Sequence, residues 1–311
     1  MLKRFDGDFL VMKLFAPKYY KKFKCIASEC RHSCCVGWEI DLDSLTVEKY
    51  KHLPPETSSD ILSSIEMGGE CNRIRLTEEG RCPFLDGCGL CRLISSYGED
   101  YISEICREHP RFYHRIGERA EVGLGAVCEE ACRIILSEGG TELECIGEYL
   151  GEPADATDFD TLIYRDRIYS YLADDSLTLG ERVERITREF DIDRSVFSSP
   201  DVSAALSELE YLDEGHRALF ATRHTCAVDV DSFSPELTRY FAYLVFRHVS
   251  ISESYDALRA RVAFCLLLTF ILGALVSDSV ALLDAARIIS EEIEYSEDNT
   301  SALIFELECL L

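Results

Sequence analysis

The distribution of cysteine constrains this chain more than any other feature. Twelve of the 15 cysteines lie at or before Cys145, and only Cys226, Cys265 and Cys309 follow. The early ones form two groups, Cys25-x4-Cys30-x3-Cys34-Cys35 and Cys82-x5-Cys88-x2-Cys91, trailed by Cys106, Cys128 and Cys132. The first group sits in KFKCIASECRHSCCVGW, which has no sustained helix or strand periodicity, so thiols there order the backbone only if something cross-links them. The opening MLKRFDGDFL carries Asp6 and Asp8 where an export signal needs an unbroken apolar run. Disulfides are therefore disfavoured, and soft thiolate donors point to zinc or to an iron–sulfur centre, with a 4Fe–4S cubane consistent with the count. His32 is a further ligand candidate, weighed against an ordinary surface histidine. Cys88 and Cys132 are weighed against incidental packing, and the three late cysteines read as buried small side chains.

Around these groups the pattern predicts short elements. A helix capped by Asp43 or Ser44 runs through Tyr50, and others cover 58–67, 100–108 and 126–136. The one strand signal is NRIRLT at 72–77. The low-complexity stretch GEPADATDFD marks a boundary, and beyond it helices are expected at 161–173, 179–190, 203–211, 235–249, 255–276 and 279–293. The expected fold class is mainly α: an irregular cysteine-rich metal-binding N-terminal domain with little β over 1–150, then a helical domain over 151–311.

Charge narrows the function. With 57 acidic against 32 basic residues the formal net charge is −25, which argues against nucleic acid, since phosphate recognition needs concentrated Lys and Arg. Lys18, Lys21, Lys22 and Lys24 are the one local exception. An acidic field instead attracts a cationic partner such as a lysine-rich peptide. The most apolar run, 262–276, is short for a bilayer span and contains Thr269 and Gly273, so it is expected as a buried helix of a soluble, cytoplasmic protein with no membrane contact.

Four blocks resemble the flagellin lysine N-methylase family in order and content: YYKKFKCIASECRHSCCVGWEIDLD at 19–43, RCPFLDGCGLCRLISSYG at 81–98, EICREHPRF at 104–112 and VCEEACRIIL at 127–136. The resemblance covers about the first 140 residues. It implies a CxxxCxxCC-like zinc- or iron-chelating segment, with metal ligands at Cys25, Cys30, Cys34, Cys35, Cys82, Cys91, Cys106 and Cys128. It further implies methyl transfer from S-adenosylmethionine to lysine ε-amino groups of a protein with exposed lysines, flagellin in the family, with an iron–sulfur cluster implicated. One departure is Cys128-Glu129, where the family has Cys-Pro. Among non-cysteine residues, Arg111 is a candidate partner for the donor's carboxylate, Trp38 a packing shield, and Tyr19 and Tyr20 lid or core aromatics. No strand followed by a glycine loop of the common donor-binding type is evident, GLGAVCEE being a poor substitute. The competing reading is a non-catalytic, zinc- or iron-stabilised protein-binding module.

Overall fold

The computed structural model describes residues 10–68, 71–152, 159–220, 231 and 234–311. Residues 1–9, Gly69, Cys226 and positions 153–158 of the expected boundary segment lie outside the described residues. The chain forms two compact units. One comprises Lys24–Arg111 with Cys128–Glu130; the other comprises the chain before Lys24, Phe112–Val127 and Ala131–Leu311.

The first element is β1, Leu10–Pro17. Within the Lys24–Arg111 unit follow β2 (Asp41–Leu42), α1 (Ser44–Lys51), α2 (Pro55–Ser63), β3 (Ile65–Glu66), β4 (Asn72–Ile74), α3 (Arg92–Tyr97) and α4 (Glu104–Glu108). Asp43 caps α1 by accepting from the Thr46 amide at 2.8 Å. β4 lies between β2 and β3, antiparallel to both. The core of this unit gathers Ile40, Leu42, Val47, Tyr50, Ile61 and Phe84, and the Tyr50 hydroxyl donates to the Tyr101 carbonyl at 2.8 Å.

The remaining elements are β5 (Arg111–Ile116), β6 (Arg119–Leu124), α5 (Glu129–Glu138), β7 (Leu143–Gly151), α6 (Thr161–Leu172), α7 (Leu179–Glu189), α8 (Pro200–Glu208), α9 (Glu214–Phe220), α10 (Ser234–His248), α11 (Tyr255–Ser277), α12 (Leu282–Ile289) and α13 (Glu297–Leu310). A four-stranded sheet has the order β5-β6-β1-β7. In it β1 pairs parallel with β6 and antiparallel with β7, with a register break between Leu14 and Phe15. Thr178 and Glu181 form a reciprocal capping box at the start of α7. α11 is 23 residues long and contains an 18-residue stretch of mean hydropathy 2.2, long and apolar enough to cross a bilayer, yet 78 % of that stretch is buried inside the fold, against α10, α12 and α13.

The expected fold class needs correction. Helices dominate, but among the described residues seven strands fall within the first 151 positions, including a four-stranded sheet with β1 in its interior and β5 and β7 at its edges. The irregular cysteine-rich metal domain is not there. The segments carrying the cysteines are tied by backbone hydrogen bonds: Cys82 N–H to the Cys35 carbonyl at 2.8 Å, Gly37 N–H to the Gly80 carbonyl at 2.8 Å, and an isolated bridge between Val36 and Arg81. Gly37, with φ +80°, makes the turn a side chain would strain.

Candidate functional site

The eight expected ligands all fall in the Lys24–Arg111 and Cys128–Glu130 unit. Cys25 and Cys34 are exposed, Cys82 is buried, and the other five are half-buried. Cys30 points its thiol at the Glu129 carboxylate, 3.7 Å away. That carboxylate, at the start of α5, also accepts the Arg31 and His32 amides at 2.8 and 3.3 Å and the Arg31 guanidinium at 3.1 Å. Burial opposes its charge, but the Arg31 contacts outweigh burial and hold Glu129 below the usual carboxylate range. A glutamate thus stands where the family pattern has proline, and it organises the first cysteine loop.

Cys34 and Cys35 share a side-chain hydrogen bond. It lowers the Cys35 thiol to about 7, helped by the Ser33 hydroxyl and Arg81, and raises Cys34. Cys35, Cys91 and Cys106 flank the hydrophobic core that includes Cys82; burial pushes Cys82 up to about 12 and raises Cys91 and Cys106 as well.

These thiols do not form a ligand set. Among the described residues no three cysteine sulfurs come within 4.8 Å of one another; the group that does meet that spacing is His216, Glu291 and Glu292. The iron–sulfur cluster, the 4Fe–4S assignment, zinc as its alternative, and the metal-stabilised binding module are therefore withdrawn. His32 engages through its backbone amide. Cys132 is buried and its thiol faces the Leu283 carbonyl at 3.8 Å. Cys265 packs in the core as expected, whereas Cys309 is exposed.

The His216 group is itself a hydrogen-bonded lock. His216 Nδ1 lies 2.6 Å from Glu292 Oε1, and Glu292 also accepts the Leu212 and Asp213 amides at 2.7 and 3.2 Å. Glu291 pairs with Arg287 at 2.7 Å. Two ligands of one tetrahedral ion with bonds of about 2.0–2.1 Å stand about 3.3 Å apart, so the 2.6 Å contact is a hydrogen bond fixing the 212–216 turn.

A second polar centre was not legible from the sequence motifs. A π-helical turn, Ser290–Glu294, buries the Glu294 carboxylate, which accepts the Tyr243 hydroxyl at 3.0 Å and contacts His248 Nε2 at 2.9 Å. Arg247 lies 3.5 Å from it, with its guanidinium between the Phe112 and Tyr295 rings at 4.8 and 4.7 Å. Burial disfavours the charge, but Arg247 and then His248 overcome it, and Glu294 stays ionised below its ordinary range. Among the described residues, the buried hydroxyls of Tyr19 and Tyr240 and the His114 Nδ1 atom have no hydrogen-bond partner, and the Glu294 charge acts on both tyrosines. The clue in the sequence was YFAYLVFRH, an apolar run closing on two adjacent basic residues.

The glycine segment also reads differently in space. β6 does precede it and α5 follows it. However, a side chain at Gly123 would overlap the Phe112 ring, and one at Gly125 the Tyr295 hydroxyl. The glycines make room for the chain's own rings, so this turn does not fit a donor nucleotide. Arg111 is half-buried at the start of β5 and donates to the Arg107 carbonyl at 3.2 Å. Of the basic cluster, Lys18, Lys21 and Lys22 pair with Glu142, Glu144 and Glu138 at 3.0, 3.1 and 2.7 Å. Trp38 is half-buried and Tyr19 is a core aromatic.

Comparison with known proteins gives three curated relatives. The chain is 31 % identical over 128 residues to the lysine-N-methylase of Salmonella typhimurium strain LT2, a match covering 39 % of this chain and 32 % of that protein. Identity to the lysine-N-methylase of Salmonella choleraesuis strain SC-B67 is 32 % over 128 residues, with the same coverage. Identity to the flagellar biosynthetic protein FliU of Salmonella muenchen is 30 % over 128 residues, covering 76 % of that protein. The match thus spans about a third of the two methylases. No family model and no solved structure matches the chain.

Proposed function

Because the chain belongs to the family of the lysine-N-methylases and FliU, we propose that it transfers methyl groups to lysine ε-amino groups of a protein, with S-adenosylmethionine as donor and flagellin as the acceptor to try first. The observation that carries this reading is the 30–32 % identity over 128 residues. The donor, when bound, supplies the methyl sulfonium; the remaining chemistry falls to the chain.

That chemistry has a clear first requirement. A lysine ammonium, with a reference pKa of about 10.4, has no lone pair and must lose a proton before it can attack. Glu294 does not meet it: its carboxyl is held below its ordinary range and its buried side chain is already engaged by Tyr243, His248 and Arg247. The helical region at 151–311 is proposed to select the substrate. A cytoplasmic location fits the described cysteines, all of which are free thiols.

The test is incubation of the full chain with methyl-labelled S-adenosylmethionine and purified flagellin, read by peptide mass spectrometry. Methylated lysine is expected on flagellin from the folded chain. Absence of label on any lysine from a folded protein would end this reading.

A further inference from the structure

One open groove of about 520 Å³ lies where α7 runs into residues 191–196 and meets the end of α13. Its walls carry the carboxylates of Glu184, Asp191 and Asp193, and its apolar patches are Ile192, Val196 and Leu310. Among the described residues of the lining, Arg188 is the one cation. Beneath it, Arg259 stitches the two helix ends together, donating to the Phe190 and Asp191 carbonyls at 2.8 and 2.6 Å and to the Leu311 carbonyl at 3.3 Å. None of this closes the groove.

Three features agree on the sign of what it would hold. Glu184, Asp191 and Asp193 are all exposed; Asp191 also lies 3.9 Å from the Arg259 guanidinium, and three carboxylates against Arg188 and Arg259 leave the groove negative. α7 and α13 both present their C-terminal ends here, and the partial negative charge of a helix C-terminus favours cations. The whole chain carries −25, a long-range field that draws in positive partners and repels nucleic acid or a second copy of itself. The apolar patches add that the occupant brings aliphatic side chains as well as charge.

We propose that this groove docks a lysine-bearing segment of the protein the chain acts on, with its ammonium groups against Glu184, Asp191 and Asp193 and its aliphatic side chains over Ile192, Val196 and Leu310. The identity of the partner rests on the lysine-methylase reading; the chemistry of the groove does not. Docking here is separate from transfer.

The three carboxylates can be neutralised without disturbing the fold. Asp193 accepts the Ser195 amide at 2.9 Å, a role asparagine fills equally well. Asp191 has φ +50°, a conformation asparagine also tolerates. Glu184→Gln keeps shape on an exposed helix face. The experiment measures fluorescence anisotropy of a labelled peptide of alternating lysine and leucine against the full chain, with no methyl donor present. A peptide of alternating glutamate and leucine serves as the reference ligand. The wild-type chain should bind the lysine peptide and ignore the glutamate peptide. Glu184→Gln/Asp191→Asn/Asp193→Asn should weaken binding about tenfold, from about twofold per exposed charge pair, and added salt should weaken the wild type toward the variant. A control that neutralises the exposed Glu56, Asp60 and Glu78 should bind like wild type. Equal affinity in wild type and groove variant, equal loss in the control, binding of the glutamate peptide, or no binding at all would each overturn the assignment. Docking retained while methyl transfer fails would strike the methylase reading and leave the groove standing.

Discussion

Acid should destabilise the helical unit through His114, and a single substitution should remove that sensitivity. The His114 ring sits 5.1 Å from Phe112, and its buried Nδ1 has no hydrogen-bond partner among the described residues. Burial, followed by repulsion from His248, Arg247, Arg165 and Arg261, lowers its pKa from 6.5 to about 3. The folded state therefore refuses a proton that the unfolded state accepts, so the contribution is intact above pH 6.5 and is lost as pH falls toward 3. Each pH unit in that window costs about 1.4 kcal/mol, so moving to pH 5 costs about 2 kcal/mol and the full window about 5. His114→Leu removes a polar atom that makes no hydrogen bond, so stability at pH 7.5 should be unchanged or higher. At pH 5 the variant should exceed wild type by about 2 kcal/mol more than it does at pH 7.5. Urea unfolding followed by far-UV circular dichroism reports the helices. The single tryptophan, Trp38, lies in the other unit, where burial and then Arg111 lower His109 to about 4. Trp38 fluorescence should therefore shift with acid equally in both proteins. Parallel loss of the dichroism transition in wild type and His114→Leu would refute the reasoning.

Two further outcomes follow from the same interior. Glu294→Gln leaves the Arg247 guanidinium buried without its counter-charge and should cost about 3–5 kcal/mol; adding Arg247→Met should recover part of that in the same urea melts. Gly125→Ala drives a methyl group into the Tyr295 hydroxyl and should cost about 1–3 kcal/mol by overpacking, with Tyr295→Phe in that background restoring some of the loss.

Helices in the second half were legible because their signals are local. The expected 255–276 is Tyr255–Ser277, 235–249 is Ser234–His248, and 161–173 is Thr161–Leu172. The predicted 203–211 slid to Pro200–Glu208 because proline at the first turn under a Ser199 cap outranks the apolar pattern. The strand expected at 72–77 is β4, Asn72–Ile74, but β1 was not legible, since LVMKLFAP lacks clean alternation and is ordered by partners a hundred or more residues away. The expected 279–293 begins at Leu282 and ends in a π-helical turn. That turn brings Glu292 and Glu294 inside, which a period of 3.6 cannot foresee. The cysteine pattern misled for the opposite reason: spacing announces a shared ligand, while the backbone bonds between Cys35 and Cys82 and between Gly37 and Gly80 leave no trace in composition.

The pairing of β1 with β6 and β7 also sets a schedule for synthesis. β1 leaves the ribosome about a hundred residues ahead of β6, which at about 5–20 residues per second is a wait of several seconds to tens of seconds. During that interval the Lys24–Arg111 segment emerges almost whole, with its own core available for burial. β1 thus waits for both neighbours: one edge stays open until Arg119–Leu124 is made and the other until Leu143–Gly151 arrives, and in that time it is accessible to chaperones or to a neighbouring nascent chain.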